Sequence, residues 1–245
     1  GNGGGGAFVL CYLIFLVILG LPVMTMEFAV GRASQKSPVK AYQALEKPGQ
    51  KWHIHGYITV IGCYLLMMFY TTVSGWMLHY FYLTATGKFA GLDADQVGGV
   101  FTEMLSQPLV MAFWMIVVVA IGIFVCSRGL QNGLEKITKV MMLALLAIMV
   151  VLAINSIMMD GAAEGLKFYL IPDFGRMKEL GIGYTIVTAM NQAFFTLSLG
   201  IGAMAIFGSY IGKERSLLGE SANIAILDTF VAIVSGLIIF PACFT

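Results

Sequence analysis

The 245-residue chain is 59% hydrophobic and only 11% charged, with a mean hydropathy of +0.88. A soluble domain carries about a quarter charged residues, so this chain cannot cover a water-facing surface, and lipid must cover most of it. A formal net charge of +1 says nothing about nucleic acid, but no basic cluster of the kind that grips a phosphate backbone occurs, and no nucleic-acid partner is expected.

A bilayer core asks for about 20 mostly apolar residues per helix, and six stretches qualify. In chain order they are 8–31, 54–83, 108–126, 138–159, 183–211 and 222–244. The first is too long for the apolar core of a signal peptide and has no basic flank before it. The second and fifth exceed the bilayer thickness, which predicts tilt, kinks or protruding ends. Loops after spans one, three and five carry Arg32, Lys36, Lys40, Lys47, Lys51, Arg128, Lys136, Lys139, Lys213 and Arg215. Loops after spans two and four carry Lys88, Lys167, Arg176 and Lys178 among seven acids. Basic residues gather on the cytoplasmic side, so the chain is expected to begin outside and to run inward first. The segments 88–107 and 160–182 are expected as outer loops, the latter turning at Pro172-Asp173. In the inner loop, Leu134, Ile137 and Thr138 suggest a short interfacial helix. A chain that opens on Gly1-Asn2 and closes at Thr245 at the end of an apolar run is expected to be a fragment of a longer protein. The four cysteines, Cys11, Cys63, Cys126 and Cys243, lie in apolar stretches without paired spacing and read as free thiols.

Ionisable residues at membrane depth are costly and are functional candidates by default. Once the loops are assigned, two acids remain, Glu27 in span one and Asp228 in span six. Glu27 also reads as an interfacial acid close to Arg32. Asp228 lies well inside its apolar run and needs a buried partner in either reading. The fifth span contains TAMNQAFFTLSLGIGAMAIFGSY, residues 188–210, in which Asn191, Gln192, Thr196 and Ser198 interrupt the apolar run just before Gly200 and Gly202. Hydroxyls beside two glycines halfway along a span suggest a helix that breaks and frees backbone groups for an ion and an amino acid. The alternative is a small-residue face that lets another helix approach closely. Tyr70, Thr71, Thr72 and Ser74 form a polar band in span two that also fits a helix–helix hydrogen bond. His53, His55 and His79 show no metal-ligand spacing. No paired carboxylates, Ser-His-Asp set or HExxH motif occurs, so nothing points to an enzyme.

The motifs NGGGGAF with Tyr12, GLPVMTMEFAVGR (20–32), FYTTVSGW (69–76), NQAFFTLSLGIGA (191–203) and the stretch from Asp228 to Gly236 together resemble the neurotransmitter:sodium symporters. That resemblance covers essentially the whole chain in order. It implies an all-α membrane protein, a single-domain piece (helices two to seven) of a 12-helix inverted-repeat bundle of the leucine-transporter fold. It further implies that Phe195, Thr196, Ser198 and Ile201 line an amino-acid site in the broken helix, with Phe195 closing over the substrate. Tyr70 falls on the tyrosine that bonds the substrate carboxylate, with Leu66 and Val73 one turn to either side. Thr196 and Asp228 fall on sodium ligands, and Glu27 on the acid that braces the broken helices.

Two departures from the family pattern carry predictions. Tyr12 and Gln192 match the chloride-binding pattern of the family, but Asp228 stands where chloride-dependent members have Asn, and Ala232 where they have Ser. A fixed carboxylate near sodium can supply the charge that chloride otherwise brings, so chloride-independent transport is expected, with Asp228 protonating on the return step. Leu143 follows Lys139-Val140-Met141-Met142 where relatives often place proline, which leaves no cue for unwinding there. The reading is a sodium-coupled symporter of a hydrophobic or aromatic amino acid in a multi-pass cell membrane, of bacterial inner-membrane type. Na+ is the coupling ion and no organic cofactor is expected. The alternative is a channel or a non-transporting membrane scaffold.

Overall fold

The computed structural model describes residues 5–129, 135–159 and 161–244. Every described element is helical apart from an isolated bridge between Gly5 and Pro172. We label the helices α1 (Gly6–Ser34), α2 (Pro38–Leu45), α3 (His53–Ala85), α4 (Ala94–Leu105), α5 (Pro108–Ser127) and α6 (Lys136–Ile157). There follow α7 (Ala162–Leu170), α8 (Phe174–Leu180), α9 (Ile182–Thr196), α10 (Ala203–Gly208) and α11 (Leu217–Phe244). Five of these, α1, α3, α5, α6 and α11, are long and apolar enough to cross a membrane. The fifth apolar stretch is divided instead into α9, of 15 residues, and α10, of 6.

Several of these helices have visible local causes. Helix α1 widens into a π-turn over Leu16–Gly20, where the Leu21 amide reaches back to the Leu16 carbonyl. Pro22 follows at once; proline has no amide to donate and its ring collides with the carbonyl four residues back, so the wider turn accommodates it. Helix α4 lies in a stretch expected as an outer loop. Its start is a capping box: the Gln96 amide donates to Asp93 Oδ1 at 2.8 Å, and Gln96 Oε1 accepts from the Asp93 amide at 3.1 Å. The other expected outer loop contains α7 and α8, separated by a bend at Ile171–Asp173. The expected interfacial helix near 134–138 takes a different form: residues 130–134 lie outside the described residues, while Ile137 and Thr138 open the uninterrupted α6. The glycines ahead of Gly5 in NGGGGAF also lie outside them.

The chain divides into two compact units, Gly1–Ile61 with Ala144–Thr245, and Gly62–Leu143. In the first, α1 is the central element. Tyr12, Leu16, Met24 and Phe28 from α1 pack with Ala189, Ala193, Leu197, Leu199, Leu217 and Ala225 into one core. In a bilayer, lipid tails are as apolar as leucine, so close van der Waals packing replaces the hydrophobic effect between helices. Small residues provide that packing here. A Cβ on Gly31 would run into the Ala205 carbonyl oxygen, and one on Gly208 would lie 2.5 Å from the Phe28 oxygen, so α1 and α10 touch backbone to backbone.

In the second unit, a Cβ on Gly75 would lie 2.9 Å from the Met115 nitrogen, an equally close approach of α3 and α5. Aromatic rings add further contacts. His79 stacks on Trp114 at 5.6 Å between centroids, and Trp76 meets Phe101 of α4 edge-on at 5.7 Å. Helix α5 buries none of its residues within the described chain, and so bare an apolar surface requires cover from lipid or further protein.

Candidate functional site

Helix α9 ends at Thr196 in a Schellman motif. The Ser198 amide donates to the Phe195 carbonyl at 3.1 Å and the Leu199 amide to the Phe194 carbonyl at 3.1 Å. The left-handed residue that this motif needs is Ser198, at φ +52°, where glycine is usual. A side chain in that conformation costs about 1–2 kcal/mol. Two further left-handed residues follow, Gly200 at φ +84° and Gly202 at φ +74°, and α10 then begins at Ala203. The break suggested by the Ser198–Gly202 sequence is thus present. Leu197 and Leu199 anchor it, being 2% and 8% exposed. Gly202 is buried beneath α2, where an added Cβ would lie 2.9 Å from Pro38 Cγ.

Two carboxylates approach the break from neighbouring helices. Glu27 of α1 accepts the Gly200 amide on Oε1 at 2.7 Å, while its buried Oε2 has no donor among the described residues. Arg32, the alternative partner for Glu27, donates instead to the Arg215 carbonyl at 2.8 Å. Asp228 of α11 accepts from Thr196 Oγ1 on Oδ2 at 2.8 Å, and the Tyr12 hydroxyl lies 3.5 Å from the same oxygen. Tyr12, Gln192, Thr196 and Ala232 share the wall of one cavity of about 490 Å³ in this unit. Aromatic residues of α7 and α11 (Phe168, Tyr169 and Phe240) line another part of that wall.

The remaining sequence-derived positions divide between the units. Phe195 is half-exposed and Ile201 partly buried at the break. Leu66, Tyr70 and Val73 lie on α3 within the second unit. There Tyr70 and Val73 border a groove of about 530 Å³ with Ser74, Met77, Phe81 and Val118, among others, and Leu66 is partly buried outside it.

One polar pair was not singled out in the sequence. Thr25 Oγ1 lies 2.7 Å from the Leu21 carbonyl and 3.0 Å from Ser221 Oγ, and Ser221 is fully buried. This pair ties α1 to α11 about two turns before Asp228. A lone hydroxyl in a span gives little signal in sequence, because it bonds its own helix as readily as a neighbour.

A broken helix held by one carboxylate, with a second carboxylate on the hydroxyl at its end, defines a membrane protein that exposes polar backbone inside its helical bundle. Comparison with known proteins gives the class. The family model of the sodium:neurotransmitter symporter family matches residues 1–97 and 99–243. The chain belongs to that family. It is 36% identical over its full length to the uncharacterized sodium-dependent transporter YhdH of Bacillus subtilis, covering 53% of that protein. It is 30% identical to the uncharacterized sodium-dependent transporter MJ1319 of Methanocaldococcus jannaschii, over 97% of this chain and 48% of the relative. The crystal structure of MhsT in complex with L-phenylalanine superposes on the whole chain with a TM-score of 0.91 at 36% identity, and the match covers 54% of MhsT. The chain therefore has the fold of part of a sodium symporter of this family and spans about half the length of the relatives it matches. The named relatives are transporters rather than enzymes, and a multi-pass membrane protein follows from the family and the apolar helices.

Proposed function

We propose that the intact protein imports a hydrophobic or aromatic amino acid by alternating access, driven by the inward sodium gradient and without a need for chloride. The observation that carries the proposal is the Thr196–Asp228 hydrogen bond of 2.8 Å, at the point where α9 stops. A hydroxyl and a carboxylate beside carbonyls freed by a helix break form an all-oxygen donor set of the kind a hard cation takes. In this reading Thr196 and Asp228 are sodium ligands. The negative charge of Asp228 stands in for chloride, with the Tyr12 hydroxyl 3.5 Å from it, Gln192 on the cavity wall that Tyr12 shares, and Ala232 in place of a chloride-binding hydroxyl. Asp228 takes up a proton on the return step, once sodium has left.

Phe195, Thr196, Ser198 and Ile201 form the side of the substrate site contributed by the broken helix, and Tyr70 with Leu66 and Val73 the side contributed by α3. Glu27 braces the break through the Gly200 amide. The substrate class draws support from MhsT, whose structure holds L-phenylalanine, and from the apolar character of Leu66, Val73, Phe195 and Ile201. A bacterial cell membrane fits the Bacillus relative. The test is uptake of radiolabelled amino acids into liposomes containing the intact protein. The proposal expects saturable uptake only with an inward sodium gradient, and passive conductance without saturation would point to a channel instead.

A further inference from the structure

The stretch from α1 to the start of α3 presents five basic side chains, Arg32, Lys36, Lys40, Lys47 and Lys51, against a single acid, Glu46. Glu46 is already engaged: the His53 amide donates to Oε2 at 3.0 Å, and His53 Nδ1 lies 2.9 Å from Oε1. Arg32 is engaged at the Arg215 carbonyl. The four lysines are exposed, and among the described residues none of them takes part in an ion pair. Beside them, large apolar side chains face outward: Leu45 is 45% exposed, Trp52 57% and Ile54 47%. An indole and an isoleucine left open next to lysines are poorly placed in water. At a lipid–water boundary both are suited, the indole at headgroup level and the ammonium groups reaching the phosphates.

We propose that residues 36–54 form a docking surface for anionic phospholipid headgroups of the cytoplasmic leaflet, with Lys36, Lys40, Lys47 and Lys51 supplying the charge and Trp52 the interfacial anchor. Charge complementarity selects the occupant. Four unpaired ammonium groups meet a leaflet of negative surface potential, and each adds roughly fivefold to affinity. An acidic protein would have to provide its own apolar contacts for Leu45, Trp52 and Ile54, whereas a bilayer supplies charge and apolar depth together. This segment is not an independent loop. Pro38 and Ala41 are buried, and Pro38 packs on Gly202 at the start of α10.

The test is native mass spectrometry of the intact protein in detergent, with dioleoyl-phosphatidylglycerol or dioleoyl-phosphatidylcholine added. The wild type should retain phosphatidylglycerol preferentially, and added NaCl should weaken that retention. Replacing all four lysines with glutamine should weaken it by roughly two orders of magnitude or more, whereas replacing them with arginine should preserve it. Equal retention of the two lipids by the wild type would overturn the proposal, as would undiminished retention by a folded, monodisperse glutamine variant. Should that variant not fold, the wild-type salt titration decides, and retention indifferent to salt overturns the proposal.

Discussion

The backbone amide of Gly200 donates to Glu27 Oε1 at 2.7 Å, joining residues 173 positions apart in the chain. A helix that breaks inside a membrane leaves amides and carbonyls without partners, and such groups persist only where protein or a water-filled cavity meets them. Glu27 satisfies one of these amides with a charge-assisted acceptor, and it does so from the helix that packs against both sides of the break.

Removal of that acceptor should destabilise the protein. Glu27→Ala removes the acceptor of a bond that is exposed within the described residues, worth about 0.5–1.5 kcal/mol net, while Glu27→Gln keeps a carbonyl oxygen within reach. Thermal unfolding in detergent should show a clear drop for alanine and a smaller one for glutamine. Equal midpoints for alanine and wild type would mean that the bond contributes nothing.

Two of the three left-handed residues of the break, Gly202 and Ser198, should respond in opposite directions. Gly202→Ala combines a φ of +74° with a contact on Pro38, and should lose about 1–2 kcal/mol or more. Ser198→Gly removes the side chain from a φ of +52° and should leave stability unchanged or raised. Differential scanning fluorimetry of the two variants side by side reads this contrast.

Close backbone contact between α1 and α10 predicts strong intolerance at Gly31. An added methyl meets the Ala205 carbonyl oxygen, and overpacking of this kind costs about 1–3 kcal/mol. Gly31→Ala should lower the unfolding temperature, and Gly31→Val should lower it further.

Much of this arrangement was legible in the sequence, for identifiable reasons. Long apolar runs gave the membrane helices, since hydrocarbon thickness sets a length that composition reveals directly. Ser198, Gly200 and Gly202 gave the break, because left-handed backbone favours glycine and the hydroxyls beside it were out of place in an apolar span. Amphipathic helices stand between the spans where the sequence predicts loops. They are short and polar, and hydropathy does not register them, although Asp93 and Gln96 spell a capping box and Ser37-Pro38 a helix start. Leu16–Gly20 widens because of Pro22, a cue present in the sequence but visible only once the turn is seen. The Thr25–Ser221 pair could not be read at all, because nothing in either neighbourhood points to the other.

A pH effect should arise at Glu46, outside the spans. Desolvation raises its carboxyl, but the bonds from the His53 amide and ring outweigh it and hold the group below the ordinary value of 4.5. A lowered carboxylate adds stability that is present above the unfolded value and is lost as pH falls through the folded one. The unfolding temperature of the wild type should therefore fall more steeply than that of Glu46→Gln as pH drops from about 6 to about 3. Parallel profiles would show that the pair makes no contribution.

The central claim, that Asp228 carries the sodium and charge-balancing role, is tested most directly by uptake of radiolabelled L-phenylalanine and other apolar amino acids into liposomes. The intact protein is compared with its Asp228→Ala variant under an inward sodium gradient, with chloride present or replaced by gluconate. The account predicts saturable, sodium-dependent uptake by the wild type that is indifferent to chloride and is abolished in a folded Asp228→Ala variant. Uptake by the wild type that requires chloride, or uptake that survives the loss of Asp228, would contradict it.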